Sequence, residues 1–353
     1  MPRQLMKGNE ALAEAAIRAG CQVFCGYPIT PSSEILEYMS WRLPEVGGHF
    51  IQAESEVSAI SMIYGAASAG FRALTASSGP GVSLKQEGIS YIAAAELPAV
   101  IVDVQRYGSG LGLISPGQGD YFQATKGGGH GDYRLLVLAP ASIQEMVDLV
   151  GLAFDKAEEY RNPAMILSDG ALGQMMEPVE LPPMTEHNPD KPWALRGKGK
   201  GKPKVIHTPV YWDPDNYDRN LRTKYATIAE KEQRYEAVML DDADIVLIAY
   251  GISARACKQA VSMGQKKGVK VGLLRPITLW PFPARAVAAA AQSAKAFLSV
   301  EMSGLGQMVE DVRLAVNGKT PVYSLPCGKD APTANGILKM VEGISDGSIK
   351  EVL

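Results

Sequence analysis

Apolar positions along this chain alternate between two rhythms. NEALAEAAIRAG (residues 9–20) spaces them at three and four, with an asparagine placed to cap a helix and a glycine to end it. QVFCGYP then reads as a short buried strand. Residues 31–43 read as the next helix, with Thr30 as its cap and Pro31 in its first helical position. The alternation continues through GHFIQAE as strand, EVSAISMIYGAASAG as helix, RALTASSG as strand, GVSLKQEGISYIAAAE as helix and PAVIVDVQR as strand. A glycine-rich loop follows, then the strand RLLVLAP, a helix over 142–160 and the strand PAMILSDG. Strands alternating with helices predict right-handed crossovers and a mostly parallel sheet covered on both faces.

The rhythm stops and then resumes. Residues 176–238 carry proline and Lys/Gly runs, including LRGKGKGKPK (195–204), and read as a linker or surface excursion. A second α/β pattern comes next: ADIVLIAYG, a helix over 253–264, KVGLLRPITLWPFP as a strand, a helix near 285–292, AKAFLSVEMS, a helix from Gly306, and PVYSLPCG. The expected organisation is a first domain over 1–175, a linker or insertion over 176–238 and a smaller second domain over 239–353. No internal repeat of fixed period occurs.

With 353 residues, 46% of them hydrophobic, the chain has material for two cores. A net charge of -3 gives no general attraction to nucleic acid. The opening MPRQLMKGNE has no apolar signal region, and no stretch approaches the roughly 18 apolar residues of a membrane span. The expectation is a cytoplasmic protein with neither nucleic acid nor membrane as partner. Cys21, Cys25, Cys257 and Cys327 form no C-x-x-C pair or cluster, which supports buried free thiols rather than a zinc or iron–sulfur site.

Familiar chemical motifs are missing: there is no phosphate loop, no H-E-x-x-H and no G-x-S-x-G elbow. YGSGLGL (107–113) has three glycines after a strand, but Leu113 stands where the dinucleotide fingerprint needs the third. What remains is a set of strand-end turns, the place where ligands gather in open parallel sheets. These are Tyr27-Pro28-Ile29-Thr30-Pro31-Ser32-Ser33-Glu34, Gln52-Ala53-Glu54-Ser55-Glu56, Ser77-Ser78-Gly79-Pro80-Gly81 and Val104-Gln105-Arg106-Tyr107-Gly108. Each has an ordinary reading beside a functional one. Glu56 suits the first turn of a helix, Gly79 and Gly81 suit a turn, and Arg106 suits a rim.

Together the four turns resemble the pyrimidine-binding domain of thiamine diphosphate enzymes, and more narrowly the α subunits of 2-oxoacid:ferredoxin oxidoreductases. Tyr27 to Ser33 matches that family's signature nearly word for word. Glu56-Val57-Ser58-Ala59 with Gly65-Ala66, and Ser78-Gly79-Pro80-Gly81, match patterns of thiamine enzymes in general. Leu274-Arg275-Pro276 and Glu301-Met302-Ser303-Gly304-Leu305-Gly306-Gln307-Met308 resemble the transketolase-like C-terminal domain of the same subunits. The resemblance implies an α/β fold: a pyrimidine-binding domain with helices on both faces of a parallel sheet, followed by a smaller transketolase C-terminal-like domain. It assigns Glu56 as the catalytic carboxylate against the pyrimidine ring, with Glu54 as the alternative. Arg106 and Thr30 hold the substrate carboxylate, Ile29 also binds substrate, and Pro28, Ser78, Gly79, Pro80 and Gly81 line the cofactor.

The same resemblance exposes a gap. No Gly-Asp-Gly…Asn stretch is present to hold the diphosphate through magnesium; Ser168-Asp169-Gly170 is the nearest, and no metal ligand is assigned. The implied assembly therefore has a β subunit bringing the diphosphate and Mg2+ half, γ and ferredoxin-like δ subunits bringing iron–sulfur clusters, and ferredoxin as acceptor. The implied reaction is oxidative decarboxylation of a 2-oxoacid with coenzyme A as cosubstrate, giving acyl-CoA, carbon dioxide and two electrons. The loop over 110–133 looks most like subunits for branched-chain acids such as 3-methyl-2-oxobutanoate, with 2-oxoglutarate and pyruvate as alternatives. Lys126 is open as a cation for a distal carboxylate or as a surface lysine, and His130 as a substrate contact or a backbone-satisfied loop residue. Two other readings stand beside this one: another two-subunit thiamine enzyme, and a non-catalytic scaffold subunit.

Overall fold

The computed structural model describes residues 3–187, 190–197 and 204–350, so the centre of the Lys/Gly run lies outside the described residues. The first unit runs β1 (Gln4–Lys7), α1 (Gly8–Arg18), β2 (Val23–Gly26), α2 (Ser33–Glu45), β3 (His49–Gln52), α3 (Glu56–Ser68), β4 (Ala73–Ser77), α4 (Pro80–Ala94) and β5 (Val100–Gln105). It continues through β6 (Leu136–Leu138), α5 (Ile143–Tyr160), β7 (Ala164–Asp169), α6 (Gly170–Gln174) and β8 (Met176–Val179). The rest is α7 (Pro214–Lys231), β9 (Tyr235–Val238), β10 (Ile245–Ile248), α8 (Gly251–Lys266), β11 (Val271–Pro276), β12 (Thr278–Trp280), α9 (Ala284–Ala290), β13 (Ala296–Glu301), α10 (Met308–Val316), β14 (Val322–Pro326) and α11 (Ala334–Ser345).

The larger sheet has seven strands in the order β12-β6-β7-β5-β4-β2-β3, parallel except at the β12 edge. Its central strands are buried on both faces, as their unbroken apolar runs require. Helices α1, α2 and α5 cover one face; α3 and α4 cover the other. The second sheet, β14-β13-β10-β11-β9, is parallel but for β9. One hydrophobic core runs without a break from Ile89 and Leu97 of the first unit to Val246 and Phe297 of the second.

Three local details differ from the expectations. KVGLLRPITLWPFP is two strands, because β11 stays in the small sheet while β12 crosses to pair antiparallel with β6 (Thr278↔Leu138). Asn9 lies inside α1, behind Lys7 at the cap, and is fully buried. Residues 176–238 contain β8 paired with β1, the 18-residue helix α7, and β9 of the small sheet.

Two glutamine side chains bind the units together, Gln118 directly and Gln307 from a loop that buried Glu301 sets. Gln118 is completely enclosed: its Nε2 donates to the Tyr250 carbonyl (2.9 Å), and its Oε1 accepts from Ser253 Oγ (2.7 Å) and from the Met302 amide (3.0 Å). Its own amide donates to the Met302 carbonyl at 2.7 Å. Glu301, equally buried, accepts from the amides of Gln307, Met308 and Val309 and so caps α10. Gln307 then reaches back, donating to the Gly119 carbonyl (2.7 Å) and accepting from the Phe122 amide (2.8 Å). Removing a partner from such a set leaves buried groups unbonded, at about 1–3 kcal/mol each. Gln118→Ala should therefore lower Tm by several degrees in calorimetry of the purified protein. A Tm within about a degree of wild type contradicts the assignment.

Candidate active site

The turn after β2 is built differently from a proline-led helix start. Helix α2 begins at Ser33 behind Ser32, and the Thr30–Pro31 peptide is cis. Ser32 closes the turn by donating its hydroxyl to the Ile29 carbonyl (2.8 Å), and buried Asn9 braces it through the Pro31 carbonyl (2.7 Å) and Glu34 Oε2 (2.9 Å). Thr30 is thus not the helix cap. It is exposed, and its carbonyl accepts a hydrogen bond from Arg106 Nη1 at 2.9 Å. Pro28 is exposed on the same turn and Ile29 is half-buried.

The next strand end separates the two glutamates. Ser55 caps α3 by accepting from the Ser58 amide, which sets Glu56 as the first helical residue. Glu56 is 5% exposed, and no described residue donates a hydrogen bond to its carboxylate, although a buried carboxylate without donors is costly. Glu54 is exposed and engaged with the Ser58 hydroxyl, so of the two only Glu56 is buried.

The Ser78-Gly79-Pro80-Gly81 turn meets Glu56 from β4. Gly79, at φ 44°, occupies the left-handed region that admits glycine, and Pro80 starts α4. A Cβ on Gly81 would stand 2.2 Å from Ser77 Oγ and 2.5 Å from Glu56 Oε1, so only glycine lets the turn lie this close to the carboxylate. The hydroxyls of Ser77 and Ser78 are buried without partners. Behind them Lys85 is fully buried, donating to Thr75 Oγ1 at 2.8 Å. Burial lowers its ammonium to about 8, while the Glu56 charge pulls the other way.

Arg106 completes the corner. It is 7% exposed, donates to the Thr30 and Leu111 carbonyls at 2.9 and 2.5 Å, and keeps a buried Nε with no partner. That Nε lies 3.5 Å from where a Gly79 Cβ would be. The loop beyond it, with Gly108, Gly110 and Gly112 at positive φ, folds back through Leu113 N to the Tyr107 carbonyl (2.7 Å). A cleft of about 1000 Å³ opens between Gly79-Pro80, this loop, Asp120 and the 303–307 loop of the second unit.

Thr30 and Arg106 are therefore bonded through a Thr30 backbone carbonyl, and Glu56 and Gly81 lie side by side. Buried Glu56 lies with the Ser77 and Ser78 hydroxyls and Arg106 Nε, which have no partner among the described residues, the signature of a place where a ligand finishes the bonding. Pro28 and Ile29 share the turn with Thr30. Asp169 is not free for a metal: one oxygen caps α6 through Ala171 and Leu172, and the other accepts from the Ile252 amide. Among the described residues no group of three acidic, His or Cys side chains could hold a metal ion. Lys126 is paired with Asp311, which also accepts from Tyr121, and His130 is exposed in its glycine loop. Lys85 and Gln118 escaped the sequence reading. A lysine within the apolar helical spacing of Val82 and Ile89 was a visible signal for the first; nothing local marks the second.

Residues 14–240 match the family described as pyruvate flavodoxin/ferredoxin oxidoreductase, thiamine diphosphate-binding, and residues 243–331 match pyruvate:ferredoxin oxidoreductase core domain II. The ketoisovalerate oxidoreductase subunit VorB of Methanothermobacter thermautotrophicus is 54% identical over 319 residues, covering 89% of this chain and 90% of its own. The 2-oxoglutarate synthase subunit KorA of Archaeoglobus fulgidus is 40% identical, over 88% of this chain and 91% of its own. A 2-oxoglutarate:ferredoxin oxidoreductase from Magnetococcus marinus, solved with 2-oxoglutarate, coenzyme A and succinyl-CoA bound, superposes at a TM-score of 0.84 with 27% identity. The match covers 97% of this chain and 65% of that one. A split-gene transketolase, at 14% identity and a TM-score of 0.59, shares the fold.

Gly81→Ala forces Ser77 or Glu56 aside. Turnover in the assembled enzyme should fall by about 10²-fold, as for an ångström-scale misplacement, with the fold retained by circular dichroism. Unchanged turnover contradicts the placement of Glu56.

Proposed function

This chain belongs to the 2-oxoacid:ferredoxin oxidoreductase family, and we propose on that footing that it is the α subunit of an enzyme converting a branched-chain 2-oxoacid and coenzyme A to acyl-CoA and carbon dioxide, with reduction of ferredoxin. The observation that carries the reading is the buried Glu56 carboxylate with no donor from the described residues, beside the unpartnered Ser77 and Ser78 hydroxyls. An aminopyrimidine ring offers the N–H groups such a corner needs, so the residues present fit the pyrimidine half of thiamine diphosphate. When bound, that cofactor supplies the carbon nucleophile and the electron sink.

The chain's own residues then have separable tasks. Glu56 would hold or hand over a proton at a pyrimidine nitrogen, and Gly79, Pro80 and Gly81, with Pro28, would line the ring. Arg106, its fork held by the Thr30 and Leu111 carbonyls, offers a fixed cation with an unpartnered Nε to the substrate carboxylate, and the Thr30 hydroxyl lies on the turn that Arg106 grips. Ile29 borders the same position. The 107–120 loop and the 303–307 loop line the two sides of the cleft.

The likeness to the VorB subunits supports 3-methyl-2-oxobutanoate as substrate. The pairing of Lys126 with Asp311 supports it too, since that cation is already neutralised and is not offered to a distal carboxylate. The diphosphate and Mg2+ are assigned to a β subunit, and the clusters to γ and δ partners. Exposed apolar residues Val57 and Met62 on α3, with Leu84 and Tyr91 on α4, flank the Glu56 corner and give the β subunit a surface. No described helix is long and apolar enough to cross a membrane. The cysteines are free thiols, which suits a cytoplasmic setting.

The native complex, supplied with thiamine diphosphate, magnesium and coenzyme A, should reduce viologen with 3-methyl-2-oxobutanoate in preference to 2-oxoglutarate, aryl pyruvates or pyruvate. The margin over pyruvate is expected to be the smallest, because an apolar pocket rejects a smaller side chain weakly. Preference for 2-oxoglutarate would overturn the substrate assignment. No reduction by a complex shown to hold cofactor and clusters would overturn the reaction.

A further inference from the structure

Two further acids, buried Asp103 and half-buried Asp120, lie behind the cation that grips the Thr30 carbonyl. Asp103 sits in the apolar strand β5, in register with Ser77 of β4, and is 1% exposed. Asp120 comes from the end of the pinned loop and lines the cleft. Neither Asp103 oxygen has a hydrogen-bond partner, and one oxygen of Asp120 is likewise buried and unbonded. Gln105, on the same face of β5 as Asp103, accepts from the Asp120 amide and so brings the two acids to one strand end, where the charge of each disfavours ionisation of the other. Burial and then the Asp120 charge push Asp103 well above the usual carboxylate range, with the Gly79 amide pulling only partly back. Burial raises Asp120 too, against the opposing effects of Asp103 and the Arg106 guanidinium. Around the pair stand the Ser77 hydroxyl, the Arg106 cation, Gln105, whose Oε1 accepts from the Asp120 amide (3.1 Å), and the buried Tyr250 phenol, itself pushed up by burial. Arg106 supplies the independent observation: its buried Nε is unbonded and awaits an acceptor.

We propose that Asp103 and Asp120 share one proton at rest and take up a second when a carboxylate anion settles against Arg106. The inference rests on Arg106 being the substrate-carboxylate site. With one shared proton the pair carries a single negative charge, which the adjacent Arg106 balances. An arriving carboxylate adds a negative charge in a poorly solvated place, and protonation of the pair offsets it. The proton enters from cleft water at Asp120, the member that lines the cleft. When the anionic charge leaves as neutral carbon dioxide, the same proton returns to the cleft. The pair thus keeps the corner's charge balanced through a cycle in which an anion enters and a neutral gas departs. Sharing and uptake need two carboxyls, so a single substitution removes the device.

The test is calorimetric titration of the intact complex with 2-hydroxy-3-methylbutanoate, which has the carboxylate and branched chain but no 2-oxo group, in buffers of different ionisation enthalpy near pH 7. Wild type should bind with net uptake of up to about one proton per site. Asp120→Asn leaves one buried, protonated carboxyl, and should bind with the uptake lost. Asp103→Asn, of nearly the same shape, should reduce it strongly. Binding without uptake by wild type, or uptake undiminished from wild type in either variant, overturns the proposal alone. No binding by wild type overturns the anion site at Arg106 on which the proposal stands.

Discussion

Everything at this site depends on a loop being held still by bonds made in the interior. The segment from Arg106 to Asp120 leaves the first sheet, turns on three glycines and returns, and its far end is fixed where Gln118 enters the second unit. That one amide meets a carbonyl, a backbone amide and a hydroxyl from β10–α8 and the end of β13. Glu301 sets the opposing 303–307 loop by capping α10, and Gln307 joins the two loops. With both ends anchored, Arg106 can be aimed at Thr30 across the strand ends, although its fork grips carbonyls rather than a carboxylate. Rigid placement of a cation is what converts a weak attraction for anions into a directional one.

The same corner shows why the chain does not stand alone. In a finished interior, buried hydroxyls, carboxylates and guanidinium nitrogens find partners. Here Ser77, Ser78 and Arg106 Nε converge without them among the described residues, beside buried Glu56, at the carboxyl ends of β4 and β5 and the start of α3. Lys85 contributes buried positive potential beneath Glu56 but no hydrogen bond to it. The most economical completion is a ligand shared with another subunit, and the exposed apolar rows of α3 and α4 lie beside that opening.

Much of this was legible in the sequence, for definite reasons. The parallel sheet followed from strands with unbroken apolar runs alternating with amphipathic helices, and the site from four strand-end turns whose residue types are unusual together. The matched spacing put Glu56 ahead of Glu54, and the structure buries the first and exposes the second. Thr30 was misjudged as a cap because Thr-Pro is a good helix opening by local rules. The true cap is Ser32, and the turn is braced by Asn9 from a distant helix, a contact no local pattern contains. The break at Ile277, where the chain passes from one sheet to the other, was invisible because both halves have the same β propensity. Asp103 within an apolar strand was plain in the sequence, and gained meaning only when Asp120 was brought to the same strand end.

The central claim is that Glu56 controls a proton on the pyrimidine half of a shared cofactor. Its most direct test is the rate of hydrogen–deuterium exchange at the thiazolium carbon of thiamine diphosphate bound in the intact complex, comparing wild type with Glu56→Gln. The account predicts that the variant retains the cofactor but exchanges about 10²- to 10⁴-fold more slowly, the usual weight of a positioned acid–base group. Exchange at the wild-type rate, with cofactor bound, would contradict it.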